Sequence, residues 1–369
     1  MQKSWFQNCN IIMSLRATER SVAVRRLLRS LRFLAMTGLL LQYAPDQGGS
    51  VGLLGGKMRC LVTGCAGFIG SHLAEKLVES GFEVVGIDSF TDYYDRRIKE
   101  TNVQDLLKSS NFTLVKEDLL GVDLDKLLEG IDYIFHHAAQ AGVLASWERF
   151  ETYLNNNILA TQRLLESVKK ISLKSFIFAS SSSVYGDCEL PMREDTLLSP
   201  VSPYGVSKLA CESLCYSYWK NFGVPVVSLR YFTVYGPRQR PDMAFHKFIR
   251  AMLKGEEITI YGDGDQTRDF TYIEDAVNSN ILVMEKACTG EIFNIGGGSY
   301  ISVNGAIKLL EEIIGKKAQI KYTEKMKGDM RATWADIKKA KKMLGYNPRF
   351  NLKEGLIEEI KWIKGVMAK

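Results

Sequence analysis

The 369 residues, 46% hydrophobic and 24% charged, suffice for a large core in one or two domains of a soluble globular protein. The formal net charge of +6 resides entirely in residues 1–57, where eight Lys/Arg oppose only Glu19 and Asp46. The balanced remainder excludes a basic nucleic-acid-binding body. Seven cysteines and four histidines show no metal-ligand spacing, so no metal is expected, and the odd cysteine count fits unpaired thiols in a reducing, cytoplasmic compartment.

Residues 1–57 read as a basic leader. Its apolar run, residues 33–41, is too short for the roughly 20-residue helix that spans a bilayer. It reads as a targeting or membrane-surface segment, as a signal-like stretch, or as an extension upstream of a start at Met58. The last is favoured because "MRCLVTG" opens directly on a strand. Membrane contact is expected only through this leader.

From Met58 strands and helices alternate. Strand-like runs at 58–63, 83–87, 112–115, 133–136, 175–179 and 225–230 are separated by helix-like stretches near 69–80, 123–129, 147–170 and 203–222. Apolar strands alternating with amphipathic helices predict an α/β, Rossmann-type doubly wound parallel sheet, here over 58–235. Beyond it, residues 236–369 predict a smaller mixed α/β substrate lobe. Its strands lie near 258–261, 291–295 and 318–322, and its helices near 243–254, 273–287, 302–314, 336–344 and 353–366.

Two stretches carry chemistry. "TGCAGFIGSHL" places Gly64, Gly67 and Gly70, with Phe68 and Ile69, between the first strand and first helix, where a pyrophosphate meets backbone N–H groups. Asp88 ends the second strand and is suited to a ribose 2′-hydroxyl, favouring NAD over NADP. "PYGVSK" sets Tyr204 and Lys208 four apart on one helix face. An ammonium and a positive nicotinamide ring both stabilise phenolate, which makes Tyr204 a candidate base. The serines of "FASSSSVYGD", following a strand, are either a polar turn or the donors that steady a developing carbonyl oxygen.

With these motifs, "RYFTVYGPRQRPDMAF" and "GDGDQTRDFTYIEDAV" in order, residues 58–369 resemble the extended short-chain dehydrogenases/reductases, specifically the NAD-dependent nucleotide-sugar epimerases. Within them the chain looks most like UDP-glucuronate 4-epimerases. The resemblance implies C4 epimerisation of a UDP-sugar through a 4-keto intermediate, a homodimer paired through the helices near 147–170 and 203–222, and NAD as cofactor. It implies that Tyr204, Lys208 and Ser181 are catalytic. Asp118, Leu119, Ala138, Ala139, Asn157 and Ser180 would join the cofactor site, and Ser182, Thr233, Arg240 and Arg268 the substrate site.

Arg268 would clamp the diphosphate and Arg240 the sugar carboxylate. Related dehydratases and decarboxylases carry acids at or beside the positions of Ser182 and Ser183, so serines there speak against elimination and decarboxylation. UDP-glucose and UDP-N-acetylglucosamine 4-epimerases are the nearest alternatives. A non-catalytic NAD-sensing scaffold is the rival from another class, opposed by the intact Tyr204, Lys208 and Ser181 set. One departure stands out: relatives follow "AAQAGV" with arginine, where this chain has Leu144.

Overall fold

The computed structural model describes residues 57–298 and 300–368, so the predicted leader, Lys57 apart, lies outside the described residues. The predicted strand–helix alternation is present from Arg59 onward. The first half runs β1 (Arg59–Thr63), α1 (Phe68–Glu79), β2 (Glu83–Ile87), α2 (Arg96–Val103), β3 (Phe112–Val115), α3 (Leu124–Leu127) and β4 (Tyr133–His136). Then come α4 (Ala145–Glu148), α5 (Phe150–Tyr153), a π-helical turn (Leu154–Leu159), α6 (Ala160–Val168), β5 (Ser175–Ser181), α7 (Pro203–Phe222), β6 (Val226–Tyr231) and β7 (Thr233–Tyr235). The remainder comprises α8 (Ala244–Lys254), β8 (Glu257–Tyr261), β9 (Thr267–Tyr272), α9 (Ile273–Lys286), β10 (Glu291–Ile295) and β11 (Tyr300–Ser302). It closes with α10 (Val303–Ile314), β12 (Gln319–Thr323), α11 (Lys338–Leu344) and α12 (Leu352–Met367).

Seven strands form one sheet in the order β10-β6-β5-β4-β1-β2-β3, every pair parallel. Successive side chains of a strand point to opposite faces, so a strand apolar at every position must be covered twice. In β1, Cys60 and Val62 join the core cluster containing Leu73 and Leu77 of α1 and Val283 of α9. Leu61 joins the opposite cluster, with Leu164 and Leu165 of α6 and Cys211 and Cys215 of α7.

Three features depart from the sequence reading. The strand at 291–295, expected in the smaller lobe, extends the main sheet beside β6, with Phe293 opposite Leu229. Its Phe293, Asn294 and Ile295 are all fully buried, as a strand covered on both faces requires. The helix expected over 147–170 is broken into α4, α5, the π turn and α6. The π turn widens the backbone where Asn157 reaches back to the loop after β4. The short β7 and the β9–β11 pair, joined in a three-stranded sheet, are further strands the pattern did not reveal. Among the described residues no helix is long and apolar enough to cross a membrane.

Candidate active site

The sheet order reverses between β1 and β4, and a cleft of about 690 Å³ lies beyond the carboxyl ends of these strands. This is where open α/β sheets bind ligands, and the volume suits a small-molecule site. The turn from β1 to α1 shapes one end. Gly64 has φ +70°, and a Cβ there would sit 2.8 Å from the Ala138 nitrogen. A Cβ on Gly70 would meet the Gly64 carbonyl oxygen at 2.2 Å, so only glycine lets helix and strand pack this closely. The α1 N-terminus has no side-chain cap and no acid in its first turn. Its first N–H groups face the cleft beside Gly67, Phe68, Ile69 and Gly70, a cradle for an anionic pyrophosphate.

Asp88, buried at the end of β2, accepts from Ala66 N at 3.2 Å and Phe90 N at 2.8 Å. It also pairs with Lys99 of α2 at 2.9 Å. A carboxylate has about four lone-pair sites, so one stays open for a ribose hydroxyl. Lys99, which also lines the cleft, was missed because α2 itself was not recognised. Asp118, Leu119, Ala138 and Ala139 continue the lining from beyond the ends of β3 and β4.

Tyr204 and Lys208, on the first turns of α7, line the cleft opposite the serines of β5. Ser202 caps this helix by accepting from Gly205 N. Lys208 is buried and donates to the Ala179 carbonyl at 2.7 Å, leaving two ammonium protons free of that bond. Ser181 accepts from Ser183 N at 3.1 Å, so its own hydroxyl proton is available to a ligand. Ser182 and Ser183 share the lining, as does Ser180, whose hydroxyl donates to Glu212. Asn157 stands behind the lining, bonded to Gln140 and to Ser207 at 2.9 Å.

At the other end Thr233, Leu144 and Arg240 line the cleft. Arg240 meets Asp242 in a two-pronged contact, Nε–Oδ1 2.9 Å and Nη2–Oδ2 3.0 Å, and Tyr93 donates to Asp242 at 3.3 Å. Burial opposes the charge on Arg240, but Asp242 outweighs it and keeps the guanidinium protonated. Burial likewise pulls the Asp242 carboxyl up, and Arg240 holds it below the usual carboxylate range. The Nη1 edge of Arg240 is left for another carboxylate. Asp242, two residues along in the same quoted motif, is a site residue the sequence reading passed over. Arg268 lies outside the lining and pairs with Asp329, which is part of it.

A parallel sheet with a glycine turn, an acid after the second strand and a Tyr–Lys helix facing a hydroxyl-bearing strand end defines a dinucleotide-dependent enzyme of the Rossmann type. Residues 60–296 match the model of the NAD dependent epimerase/dehydratase family, and the chain belongs to that family. It is 49% identical to an uncharacterized UDP-glucose epimerase, YtcB, of Bacillus subtilis, over 84% of this chain and 99% of that one. It is 41% identical to a UDP-glucuronate 4-epimerase of Thermodesulfobacterium geofontis, over 82% of this chain and 95% of that one. The crystal structure of UDP-glucuronic acid 4-epimerase from Bacillus cereus, in complex with UDP-glucuronic acid and NAD, superposes with a TM-score of 0.82. That pair shares 49% identity, covering 84% of this chain and all of the other.

Proposed function

We propose that this protein is an NAD-dependent UDP-glucuronate 4-epimerase, interconverting UDP-glucuronate and UDP-galacturonate. The observation that carries the reading is the pairing of an acid-free serine strand end with Arg240 at the far side of the same cleft. The glycine cradle, the uncapped α1 N-terminus and Asp88 fit NAD, with residues 64–70, Asp118, Leu119, Ala138 and Ala139 along its path. When bound, NAD supplies hydride acceptance from C4 of the sugar and hydride return to the opposite face.

Tyr204 takes the proton of the C4 hydroxyl and later gives it back. Lys208, fixed by the Ala179 carbonyl, sets the positive field in which the phenolate forms. Ser181 donates its free proton to the sugar oxygen as it becomes a carbonyl. Arg240 holds the C6 carboxylate, and Thr233 shares the lining with it. A 4-keto uronate is a β-keto acid, so this grip also keeps the C5–carboxyl bond from aligning with the carbonyl. Ser182 and Ser183 supply no acid for elimination. Arg268, outside the lining but paired with Asp329 within it, is the candidate for the diphosphate.

A second reading, a 4-epimerase of neutral UDP-sugars, draws on Asp242 already occupying one edge of Arg240 and on apolar Leu144 in the lining. Incubation with each UDP-sugar and NMR of the products decides. UDP-galacturonate from UDP-glucuronate supports the first reading, and turnover of neutral sugars alone supports the second. A pentose product removes both.

Residues 58–235 serve mainly the dinucleotide and 236–369 the nucleotide-sugar. A cytoplasmic location accords with six described cysteines that are all unpaired. A homodimer is supported by the apolar side chains that α4–α7 leave exposed, among them Trp147, Phe150, Leu159, Val206, Tyr216 and Phe222.

A further inference from the structure

Glu359 of α12 has no exposed surface, and nothing in the chemistry above uses it. Its Oε2 accepts from the Gly236 N–H at 2.9 Å, while its Oε1 has no hydrogen-bond partner among the described residues. Its charge bears on the hydroxyls of Tyr235 and Tyr272, and no cation pairs with it among the described residues. Burial holds its carboxyl well above the usual carboxylate range, partly offset by the Gly236 bond. A buried carboxyl with one oxygen unmet is costly, and an apolar side chain of similar size would fill the same space at less cost. Filling space therefore does not account for it.

Gly236 is the first residue after β7, and its φ of +131° turns the chain into the segment 236–243. A Cβ at Gly236 would meet Ile273 at 2.7 Å, so the turn is closely packed as well as strained. The next residues are pinned in sequence. Arg238 pairs with Glu75 at 2.7 Å, and Gln239 N donates to the Gly236 carbonyl at 3.1 Å. The buried Gln239 side chain bridges the Val234 carbonyl and His246 N, at 3.1 and 3.0 Å. Arg240 follows immediately and enters the cleft. Only one of these anchors comes from α12, and it grips the first residue of the segment.

We propose that Glu359 is a positioning residue of the sugar-recognition segment: from α12 it fixes the Gly236 peptide, and through it the direction in which Arg240 enters the cleft. This rests on the reading of Arg240 as the carboxylate partner. Glu359 touches neither substrate nor cofactor. Its effect is confined to affinity for the acidic sugar, because Tyr204, Lys208 and Ser181 stand on α7 and β5, which it does not contact through any bond described.

The test uses the NAD-loaded enzyme and the variants Glu359→Met, Glu359→Asp and Glu359→Gln, with Arg240→Ala in parallel. Three quantities are read: steady-state KM and kcat for UDP-glucuronate, and hydrogen exchange of the peptide spanning 234–240. The expected result is a KM raised about tenfold by Met and by Asp, which is one methylene too short, with kcat within about twofold of the parent. Exchange at 234–240 quickens in both. Gln, which keeps an acceptor at the same reach, restores parental KM and exchange. If Met does not fold, the contrast between Asp and Gln decides alone.

Parental KM and exchange in the Asp variant overturn the proposal, and so does a Gln variant as impaired as Asp. Arg240→Ala leaving UDP-glucuronate turnover intact removes the carboxylate reading instead, and the exchange data then judge Glu359 independently.

Discussion

Arg230 of β6 and Glu212 of α7 meet as a buried, two-pronged ion pair, Nε–Oε1 2.9 Å and Nη2–Oε2 2.7 Å. The same Glu212 accepts the Ser180 hydroxyl, and Arg230 also donates to Tyr185 Oη at 2.9 Å. Tyr185 in turn donates to Asn294 of β10 at 2.6 Å. Glu212 lies two helical turns beyond Tyr204 and one beyond Lys208. The pair thereby ties the helix bearing these two residues to the end of the serine strand. Removing one partner leaves a buried, unpaired charge, which costs about 3–5 kcal/mol. Glu212→Leu and Arg230→Met should each show this loss in urea unfolding. A loss under about 1 kcal/mol in both variants would contradict the picture.

Tyr204→Phe removes the proton carrier and leaves the ring. Epimerisation should fall about 10²–10⁴-fold, the usual weight of a positioned acid–base group. NAD affinity, followed by tryptophan fluorescence, should change little. Activity retained within tenfold would exclude Tyr204 as the base.

His136 is fully buried between β1 and α6, bonded to Thr63 at 2.8 Å and Thr161 at 2.9 Å. Burial, aided by Lys208, lowers its pKa to about 3. An unfolded chain binds the proton near pH 6.5, whereas the folded protein refuses it. Stability is thus complete above about pH 6.5 and declines as pH falls, at ~1.4 kcal/mol per unit for this group. Urea midpoints at pH 7.5 and 5.0 measure the slope. A His136→Gln variant with an unchanged slope would assign the loss elsewhere.

Asp88 and Lys99 together bear on cofactor choice. Asp88→Asn should weaken NAD about ten- to a hundredfold, the worth of a hydrogen bond to a charged group. It also frees Lys99 for a 2′-phosphate, so NADP should gain relative to NAD. Calorimetric titration with both dinucleotides checks the ratio, and an unchanged ratio would reassign the pair to a purely structural role.

The exposed apolar side chains on α4–α7 predict a dimer in sedimentation equilibrium. Trp147→Asp combined with Tyr216→Asp places two charges in that surface and should yield a monomer that still binds NAD. A parent that sediments as a monomer would refute the arrangement.

Much of the site was legible because its determinants are local. Gly64 and Gly70 shape the turn through close approaches that glycine alone permits, and Tyr204 and Lys208 share a face by helical spacing alone. The partners were less legible. Asp242 for Arg240 is close in sequence, yet its pairing depends on how the segment after Gly236 folds. Lys99 reaches Asp88 from a short, mostly polar helix whose two apolar residues, Ile98 and Val103, make no clear stripe. Asp329 reaches Arg268 across 61 residues, and no pattern in either segment announces the other.

Taken alone, the order of apolar runs and turns determined the parallel sheet, the glycine cradle and the residue types available for proton and hydride chemistry, since each follows from short-range geometry. Only the tertiary structure decided which sheet receives β10 and where the helix after residue 147 breaks. It also decided that Glu212 is buried against Arg230 and Ser180, and Glu359 against the Gly236 N–H. Those outcomes depend on burial and on contacts between distant segments, and hydrophobicity along the chain says that a residue is covered without saying by what.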